Sequence, residues 1–311
     1  MPADRPPAGA TPDARVADDR APLDRARLAR RLLEAGCSGP VRVVTRTDST
    51  QARARTAALG GAPAGWTILA EEQTRGRGRS GRGWWAPPRS AILGSMVLRP
   101  ELPPERLRGL SLVAGVAVAE AVRAAGVADV WLKWPNDCLA GGRKLAGVLA
   151  EVVPGGPSRM LPAVLVGVGC NVRIAPSEWP EELTDGATSC WAEGAPVERS
   201  ELAAAILAGV WAGYQRWRRE GLGWVIDAWL RLDRHRGTLV EARGPDGPIR
   251  GLVTGLSDEG SLCLLTDSGP RVVEAGEVLG LRAPGGSPEV ARGRGPASRR
   301  PPGGGADRAS S

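Results

Sequence analysis

A glycine- and arginine-rich loop directly follows an apolar run, and this pair of segments constrains the fold more than any other part of the chain. The run 66–70 (WTILA) predicts a buried strand. The segment 71–85 (EEQTRGRGRSGRGWW) then interleaves four glycines with four arginines. Glycine lets successive backbone N–H groups surround an anion, and arginine adds planar cationic groups suited to phosphate and carboxylate. With Trp84 and Trp85 offering a flat surface to a ring, we expect this loop to bind a phosphate-bearing ligand with an aromatic base.

The distribution of charge favours a small-molecule site over a nucleic-acid surface. The chain has a formal net charge of +7, of which about +4 lies in the terminal segments 1–36 and 284–311. The tail 284–311 and most of 1–36 are predicted to be disordered because of their Pro, Gly, Ala and Arg content. The charge that remains is too small to indicate nucleic-acid binding. Gly-Arg runs also occur in RNA-binding proteins, so that function stays open as an alternative.

Cysteine usage and hydropathy predict a protein of a reducing compartment. The five cysteines are scattered without a C-x-x-C pair, and with one histidine they form no zinc site of ordinary spacing. The N-terminus shows no apolar leader, and the apolar stretch 107–125 is interrupted by Arg108, Glu120 and Arg123. We therefore expect free, mostly buried thiols, no membrane span and a cytoplasmic location.

The spacing of apolar residues predicts an α+β protein of two domains. In the larger part of the chain, strand and helix patterns follow one another. In the smaller domain, 236–283, short strands joined by Gly- and Asp-containing turns predict an antiparallel barrel. Strands are predicted at 41–45, 66–70, 91–99, 129–134, 143–153, 161–172, 238–243, 249–256, 261–266 and 271–274. Helices are predicted at 23–33, 52–59, 103–125, 197–220 and 222–234.

The two lysines of the chain indicate a functional cluster. Lysine occurs only at Lys133 and Lys144, although arginine is abundant throughout. Both lie in one segment, beside Asn136 and Asp137, that is predicted to form a hairpin closed by the glycines 141–142. A compact ammonium group fits a close-packed site that a guanidinium cannot enter. The coincidence therefore points to a role in binding or catalysis.

Four segments, taken in order, resemble the signature motifs of biotin protein ligases. They are GRGRSGRGW (76–84), KWPND (133–137), KLAGVLAE (144–151) and GVGCN (167–171). The resemblance covers roughly residues 41–280. It implies a class II synthetase-like catalytic domain at 37–235, with a mixed or antiparallel central sheet flanked by helices, and an SH3-like C-terminal barrel. The segment 1–36 has room for one short helix, so no winged-helix DNA-binding domain is expected there.

The resemblance implies a two-step reaction that consumes ATP. Biotin and ATP, with Mg²⁺, would give biotinyl-5′-AMP and pyrophosphate; a lysine of a biotin carboxyl carrier domain would then take the acyl group and release AMP. The acceptor is implied to belong to a biotin-dependent carboxylase, and exposed strand edges could pair with it or with a second copy in a homodimer. The nearest alternatives, lipoate ligase and octanoyl transferase, share the architecture and differ in the acyl pocket.

The resemblance also assigns roles to single residues. It makes Lys144, Arg79 and Lys133 the catalytic candidates, with Lys144 contacting the biotin carboxylate and the phosphate. Residues implied to bind biotin are Ser49, Thr50, Gln51, Gln73, Gly76, Arg77, Gly78, Arg79 and Lys144. Residues implied to bind the nucleotide are Arg79, Arg82, Trp84, Lys133, Asn136, Asp137 and Asn171, with Asp137 as the metal candidate. Gln51 stands where the family often has Asn, and Trp84 could equally belong to the core.

Overall fold

In the computed structural model of the protein, the described residues are 20–100, 107, 109–154, 162–244, 247–274 and 276–280. The segments 1–19 and 284–311, predicted here to be largely disordered, lie outside the described residues. So does the predicted start of a helix near residue 103; that helix is described from Leu110 onward.

A seven-stranded sheet forms the centre of the larger domain, in the order β1-β2-β3-β7-β6-β5-β4. Within it β1 and β2 run parallel, and every other neighbouring pair is antiparallel. This agrees with the prediction of a mixed sheet. The strands are β1 (Val41–Val44), β2 (Thr67–Ala70), β3 (Ala91–Leu98), β4 (Val130–Lys133), β5 (Asp137–Ala140), β6 (Arg143–Val153) and β7 (Ala163–Asn171).

Helices cover the sheet, so its interior strand β3 is buried along its whole length. All eight residues of β3 are buried, as expected for a strand with neighbours on both edges and packing on both faces. The third helix is almost as apolar, because it packs on the sheet and on two further helices. The described helices are α1 (Arg25–Glu34), α2 (Thr50–Leu59), α3 (Leu110–Ala124), α4 (Arg199–Glu220) and α5 (Gly223–Leu232).

The smaller C-terminal domain is a five-stranded antiparallel sheet in the order β11-β10-β9-β8-β12. Its turn at Gly260 packs on the larger domain, where the backbone oxygen of Gly260 accepts a 3.0 Å hydrogen bond from Trp134 Nε1. The sequence pattern did not predict the fifth strand, which is four residues long. The strands are β8 (Leu239–Gly244), β9 (Gly247–Leu256), β10 (Leu262–Thr266), β11 (Gly269–Val273) and β12 (Glu277–Gly280).

The segment that carries both lysines is a three-stranded meander, which corrects the predicted single hairpin. Strand β5 lies between β4, which ends at Lys133, and β6, which contains Lys144. The prediction missed β5 because it has four residues and directly follows Pro135 and Asn136. The consequence is that Asp137, the first residue of β5, pairs with Lys133 on one side and with Gly147 on the other.

The predicted N-terminal helix is present as α1 and packs into the core of the larger domain. Leu28 and Leu32 are fully buried, and α1 contacts α4 and β1. Asp24 caps the helix by accepting a 3.0 Å hydrogen bond from the backbone N–H of Arg27. The backbone N–H of Asp24 donates to Ser200 Oγ at 3.0 Å, which holds the start of α1 against α4. The predicted domain boundaries themselves stay predictions.

Candidate active site

A cavity of about 270 Å³ opens between the Gly/Arg loop and one face of β6 and β7. It brings together residues from segments more than a hundred positions apart in the chain. Most of the site residues named from the sequence line it: Ser49, Thr50, Gln51, Gln73, Arg77, Gly78, Arg79, Arg82, Trp84, Asn136, Asp137, Lys144 and Asn171. Two do not line it, Gly76 and Lys133.

One end of the cavity is a compact network of uncharged polar groups at the start of α2. Ser49 is the N-cap of this helix, because its side chain accepts a hydrogen bond from the backbone N–H of Ala52. The backbone N–H and the hydroxyl of Thr50 both donate to Gln73 Oε1, at 2.6 and 3.0 Å. Ser95 Oγ lies 3.0 Å from Thr50 Oγ1 and 2.9 Å from Gln51 Oε1. Such a fixed array suits a neutral ligand with both donors and acceptors.

The side chain of Gln51 is occupied by the protein itself. Its Nε2 donates to the backbone oxygens of Leu149 and Leu165, at 3.3 and 3.4 Å, and its Oε1 faces Ser95. A methyl group added to Gly167 would meet this Oε1 at 2.6 Å, so a larger residue there would displace the Gln51 amide. These contacts fix the Gln51 amide in the wall of the cavity. Its direct contact with biotin stays a prediction.

Trp84 lies on two glycines of the sheet, which explains the glycine-containing motifs of β6 and β7. A Cβ added to Gly169 would meet Trp84 Cε2 at 2.6 Å, and one added to Gly147 would meet Trp84 Cζ3 at 3.2 Å. Any larger residue at Gly169 would displace the indole. The Trp84 Nε1–H is buried without a hydrogen-bond partner among the described residues. The ring therefore belongs to the floor of the cavity and keeps one donor free.

Lys144 stands near the middle of the cavity with Asp137 beside it. Its Nζ is 2.7 Å from Asp137 Oδ1 and 5.7 Å from the centroid of the Trp84 ring. The carboxylate is mostly buried, whereas 38% of the lysine side chain is exposed. An ammonium held this way can contact an anionic ligand without losing its partner. Lys133, on β4, is half-buried outside the cavity lining.

Arginines of the Gly/Arg loop join it to the C-terminal domain. Arg79 Nη1 donates to Asn136 Oδ1 at 3.2 Å and to the backbone oxygen of Gly276 at 3.0 Å. Arg82 Nη1 is 3.0 Å from Glu277 Oε1. Burial lowers the pKa of the Arg79 guanidinium from its ordinary value. Because that value is so high, the group stays charged at neutral pH. The loop thus forms a charged cover over the cavity.

Gly76 has a structural role at the base of this loop. Its backbone oxygen accepts a 3.0 Å hydrogen bond from the backbone N–H of Trp84. An added Cβ would meet the backbone oxygen of Trp84 at 2.5 Å and Gln73 Nε2 at 3.1 Å. Glycine therefore lets the two arms of the loop approach closely, although it does not line the cavity.

The other end of the cavity is aromatic and carries an unsatisfied amide oxygen. Asn171 Nδ2 donates to the backbone oxygen of Thr188 at 2.9 Å, whereas its Oδ1 is buried without a partner among the described residues. The rings of Trp85 and Trp179 lie 5.5 Å apart between centroids, and both line the cavity. A flat ring that carries an N–H donor, such as adenine, matches this end.

Sequence reasoning missed several residues of the site. Ser95 lies in the middle of an apolar strand, where the only signal was a polar residue in an apolar run. Trp179, Leu183 and Ala187 lie in irregular segments without periodicity, and the backbone of 186–188 pairs with Lys144. The tryptophan was a visible signal, because a large aromatic residue in a Pro- and Glu-rich stretch is unusual. The glycines of 167–171 were recognised as a motif, but the packing of Trp84 on Gly169 was not predicted.

The described residues contain no group of three or more His, Cys, Asp or Glu side chains placed to hold a metal ion. At the cavity the metal candidate Asp137 is a single carboxylate. No helix in the described part of the chain is long and apolar enough to span a membrane. All five cysteines are free, and Cys263 alone among them is not buried.

Comparison with known proteins agrees with this geometry. Residues 43–171 match the model of the biotin/lipoate A/B protein ligase family, and residues 237–279 match that of the biotin protein ligase C-terminal domain. A biotin–[acetyl-CoA-carboxylase] ligase of Mycobacterium tuberculosis is 38% identical over 271 residues, which covers 85% of this chain and 97% of that protein. A protein of the same name from Paracoccus denitrificans is 36% identical over 246 residues, covering 76% and 99%.

Solved structures show the same likeness. A biotin protein ligase from Aquifex aeolicus, in complex with biotin and ATP, superposes with a TM-score of 0.66 at 29% identity. The match covers 77% of this chain and 97% of that one.

Proposed function

The chain belongs to the biotin/lipoate A/B protein ligase family, and we propose that it is an ATP-dependent biotin protein ligase that biotinylates a biotin carboxyl carrier domain. The observation that carries the proposal is the position of Lys144. Its ammonium lies in the same cavity as the neutral polar network at Thr50 and Gln73 and as the aromatic end at Asn171. This arrangement suits an acyl-adenylate: the polar network would bind the uncharged bicyclic ring of biotin, the ammonium the phosphate, and the aromatic end the adenine base.

The first step joins two anions. A carboxylate oxygen of biotin attacks the α-phosphorus of ATP, the bond to the bridging oxygen breaks, and pyrophosphate leaves with the electron pair. Lys144 and the loop arginines Arg79 and Arg82 supply the positive charge that brings carboxylate and phosphate together and stabilises the charge that develops. Asp137 holds the Lys144 ammonium in place, because the two groups form a charge-assisted contact of 2.7 Å.

The second step transfers the acyl group. The uncharged amine of an acceptor lysine attacks the acyl carbon, the carbon–oxygen bond to AMP breaks, and the amine proton passes to a phosphate oxygen or to solvent. AMP is the leaving group, so the cations that served the first step also stabilise the charge left on its phosphate. The cavity is open on one side, which allows a lysine side chain to reach it.

We propose that Mg²⁺ binds together with ATP. The ion commonly binds proteins through one or two carboxylates and takes its other ligands from phosphates and water. Asp137 fits the part of the single carboxylate, and a cage of several carboxylates is not needed for such a site. Bound in this way, the ion would neutralise the charge of the triphosphate.

The acceptor is proposed to approach along the free edge of β6. Strand β5 pairs with β6 from Arg143 to Gly147. The next residue, Val148, is hydrogen-bonded to Asn136: its N–H donates to the Asn136 backbone oxygen at 2.9 Å, and its backbone oxygen accepts from Asn136 Nδ2 at 2.7 Å. Beyond that point, residues 149–153 have no strand on this side among the described residues. An edge next to the cavity can take a strand of a carrier domain of a biotin-dependent carboxylase, or of a second copy in a homodimer. We also propose a cytoplasmic location for the protein, because the reaction consumes ATP and the thiols are free.

An exchange assay tests the adenylation half-reaction. We expect the purified protein with MgATP to exchange pyrophosphate into ATP when biotin is present, and not with lipoate or without an acid. Exchange with lipoate alone would assign the pocket to the nearest alternative in the family. If neither acid supports exchange, the ligase proposal fails, and salt-dependent RNA binding by the Gly/Arg loop becomes the function to test.

Arg79→Ala is expected to release the adenylate early. The arginine joins the loop to Asn136 and to the C-terminal domain, so its loss should let the cover open and expose a labile mixed anhydride to water. We expect biotinyl-5′-AMP still to form and to dissociate at least about tenfold faster, because two hydrogen bonds of a charged group are lost. Retention of radiolabelled adenylate on a filter measures this rate. Equal retention by Arg79→Ala and wild type would contradict the cover role, and Arg216→Ala, on the far end of α4, serves as control.

A further inference from the structure

A short segment before α1 hydrogen-bonds groups that adjoin two parts of the candidate active site. We call residues 20–24 the N-terminal strap. At its first residue, the Arg20 guanidinium donates to the backbone oxygen of Arg173 from Nε and Nη2, at 3.0 and 2.7 Å. The same Nη2 is 2.5 Å from Glu178 Oε2. Only 10% of the Arg20 side chain is exposed, so this contact is largely shielded from solvent.

The other end of the strap is joined to a buried ion pair. The backbone N–H of Leu23 donates to Glu71 Oε1 at 2.6 Å. The second carboxylate oxygen of Glu71 accepts from Arg199 Nη2 at 2.5 Å, and Arg199 also donates to the backbone oxygen of Ala21 at 2.8 Å. Side-chain exposure is 3% for Arg199 and 7% for Glu71. Breaking a pair this deeply buried would leave an uncompensated charge.

Each of these partners leads directly to the cavity. Glu178 Oε2 also accepts from the backbone N–H of Ala175 at 2.8 Å and so closes the turn that precedes Trp179. The Trp179 ring lines the aromatic end of the cavity beside Trp85. Glu71 is the first residue of the Gly/Arg loop, two residues before Gln73. Its backbone oxygen accepts a 2.8 Å hydrogen bond from the N–H of Arg89, which follows the loop.

We propose that the strap is a positioning element of the active site: Arg20 holds the Trp179 turn at the nucleotide end, and the backbone of Ala21 and Leu23 holds the Glu71–Arg199 pair at the base of the loop. The inference rests on the proposed function, because it takes the aromatic end to receive the adenine ring of ATP. Arg20 acts through Glu178 and the turn, and it touches no substrate. Its loss should therefore weaken the binding of ATP and leave the polar end, at Thr50 and Gln73, unaffected.

The test is Arg20→Gln in the full chain, compared with wild type in the exchange assay. We expect KM for ATP to rise about fivefold or more, since a charge-assisted contact that orders the turn is lost, while KM for biotin stays within about twofold. Arg20→Lys should fall between the two proteins, because lysine keeps the pair with Glu178 and cannot also donate twice to the Arg173 backbone oxygen. Arg31→Gln, which removes an exposed ion pair within α1, is the matched control and should change neither KM.

Two further measurements separate positioning from general stability. Hydrogen exchange of the amides in 174–183 should speed up in Arg20→Gln, while the exchange of β3 stays as in wild type. Glu178→Gln should have the same effect on KM for ATP, and the double variant should be no worse than either single one, because the two residues act through one contact. Unchanged KM for ATP, or parallel losses in both KM values together with a fall in Tm, would overturn the proposal.

Hydrogen exchange also distinguishes a failure of the ligase function from a failure of the positioning role of the strap. If wild type shows no pyrophosphate exchange, the proposed ligase function fails irrespective of Arg20. In that case the exchange of 174–183 still reports whether the strap orders the turn, and unchanged protection in Arg20→Gln would reject this inference as well. If wild type is active and only the Arg20 variant is indistinguishable from it, the ligase function stands and the strap has no positioning role.

Discussion

Lys144→Met is expected to lower biotin-dependent pyrophosphate exchange by at least about a hundred- to a thousandfold, the range found when one group that stabilises transition-state charge is removed. Methionine keeps most of the length and the apolar stem of lysine but brings no charge. Carboxylate and phosphate would then meet without the cation between them. The loss should appear in kcat, because the ammonium is needed most where the negative charges approach each other.

The Lys144→Met variant loses a charge in the active site and can also lose stability, so the two effects must be measured separately. Removing Lys144 leaves the mostly buried carboxylate of Asp137 without its partner, which itself destabilises the protein. The double variant Lys144→Met/Asp137→Asn removes that problem, so it should recover Tm without recovering exchange. Near-wild-type exchange by Lys144→Met, or by the double variant, would contradict the central role given to Lys144. Lys144→Arg should also remain weak, because the site is packed against Trp84 and Gly147.

Gly169→Ala is expected to lower exchange by about a hundredfold, although no polar or charged group is touched. The added Cβ would lie 2.6 Å from Trp84 Cε2, far inside contact distance. The indole must therefore leave its seat on β7, and Lys144 loses the ring next to it. A displacement of about 1 Å among groups that align reacting atoms costs roughly this much in rate. Overpacking should also lower stability by about 1–3 kcal/mol, which thermal denaturation measures.

A second substitution shows whether Trp84 is the cause. Trp84→Leu in the Gly169→Ala background makes room for the methyl group, so Tm should rise toward that of Trp84→Leu alone. Gly223→Ala is the control: a Cβ there meets nothing within 4 Å, and the residue begins α5 far from the cavity. Full activity of Gly169→Ala would show that the indole is not held on β7 as the geometry requires.

Most of the architecture was accessible from the sequence because its elements carry strong local patterns. The apolar run of β3 and the helical spacing of α4 are long enough to identify without tertiary information. The two missed strands, β5 and β12, have four residues each. They are recognised by their hydrogen bonds to neighbouring strands and not by an apolar pattern in their own sequence. The two lysines consequently lie on strands separated by β5, where one hairpin was predicted.

The candidate site was predictable where chemistry requires a rare residue type. The lysine, the loop arginines and the motif glycines all stand out in the sequence by type and spacing. Ser95 and Trp179 differ from the residues around them, but their place in the cavity depends on contacts with Thr50 and Trp85 far away in the chain. The same holds for Arg20, whose partners are 153 and 158 positions distant. A sequence pattern reports local structure, and pairings at that separation leave no local trace.

The scarcity of lysine has a consequence for chemical self-modification. An acyl-adenylate that escapes reacts with whatever free amine is nearest, and the lysines that this protein offers are Lys133 and Lys144. Lys144 is paired with Asp137, and Lys133 is half-buried. A variant with a loosened cover would therefore label neighbouring proteins while carrying little label itself. The lysine-poor surface makes the enzyme a weak target for its own reactive product.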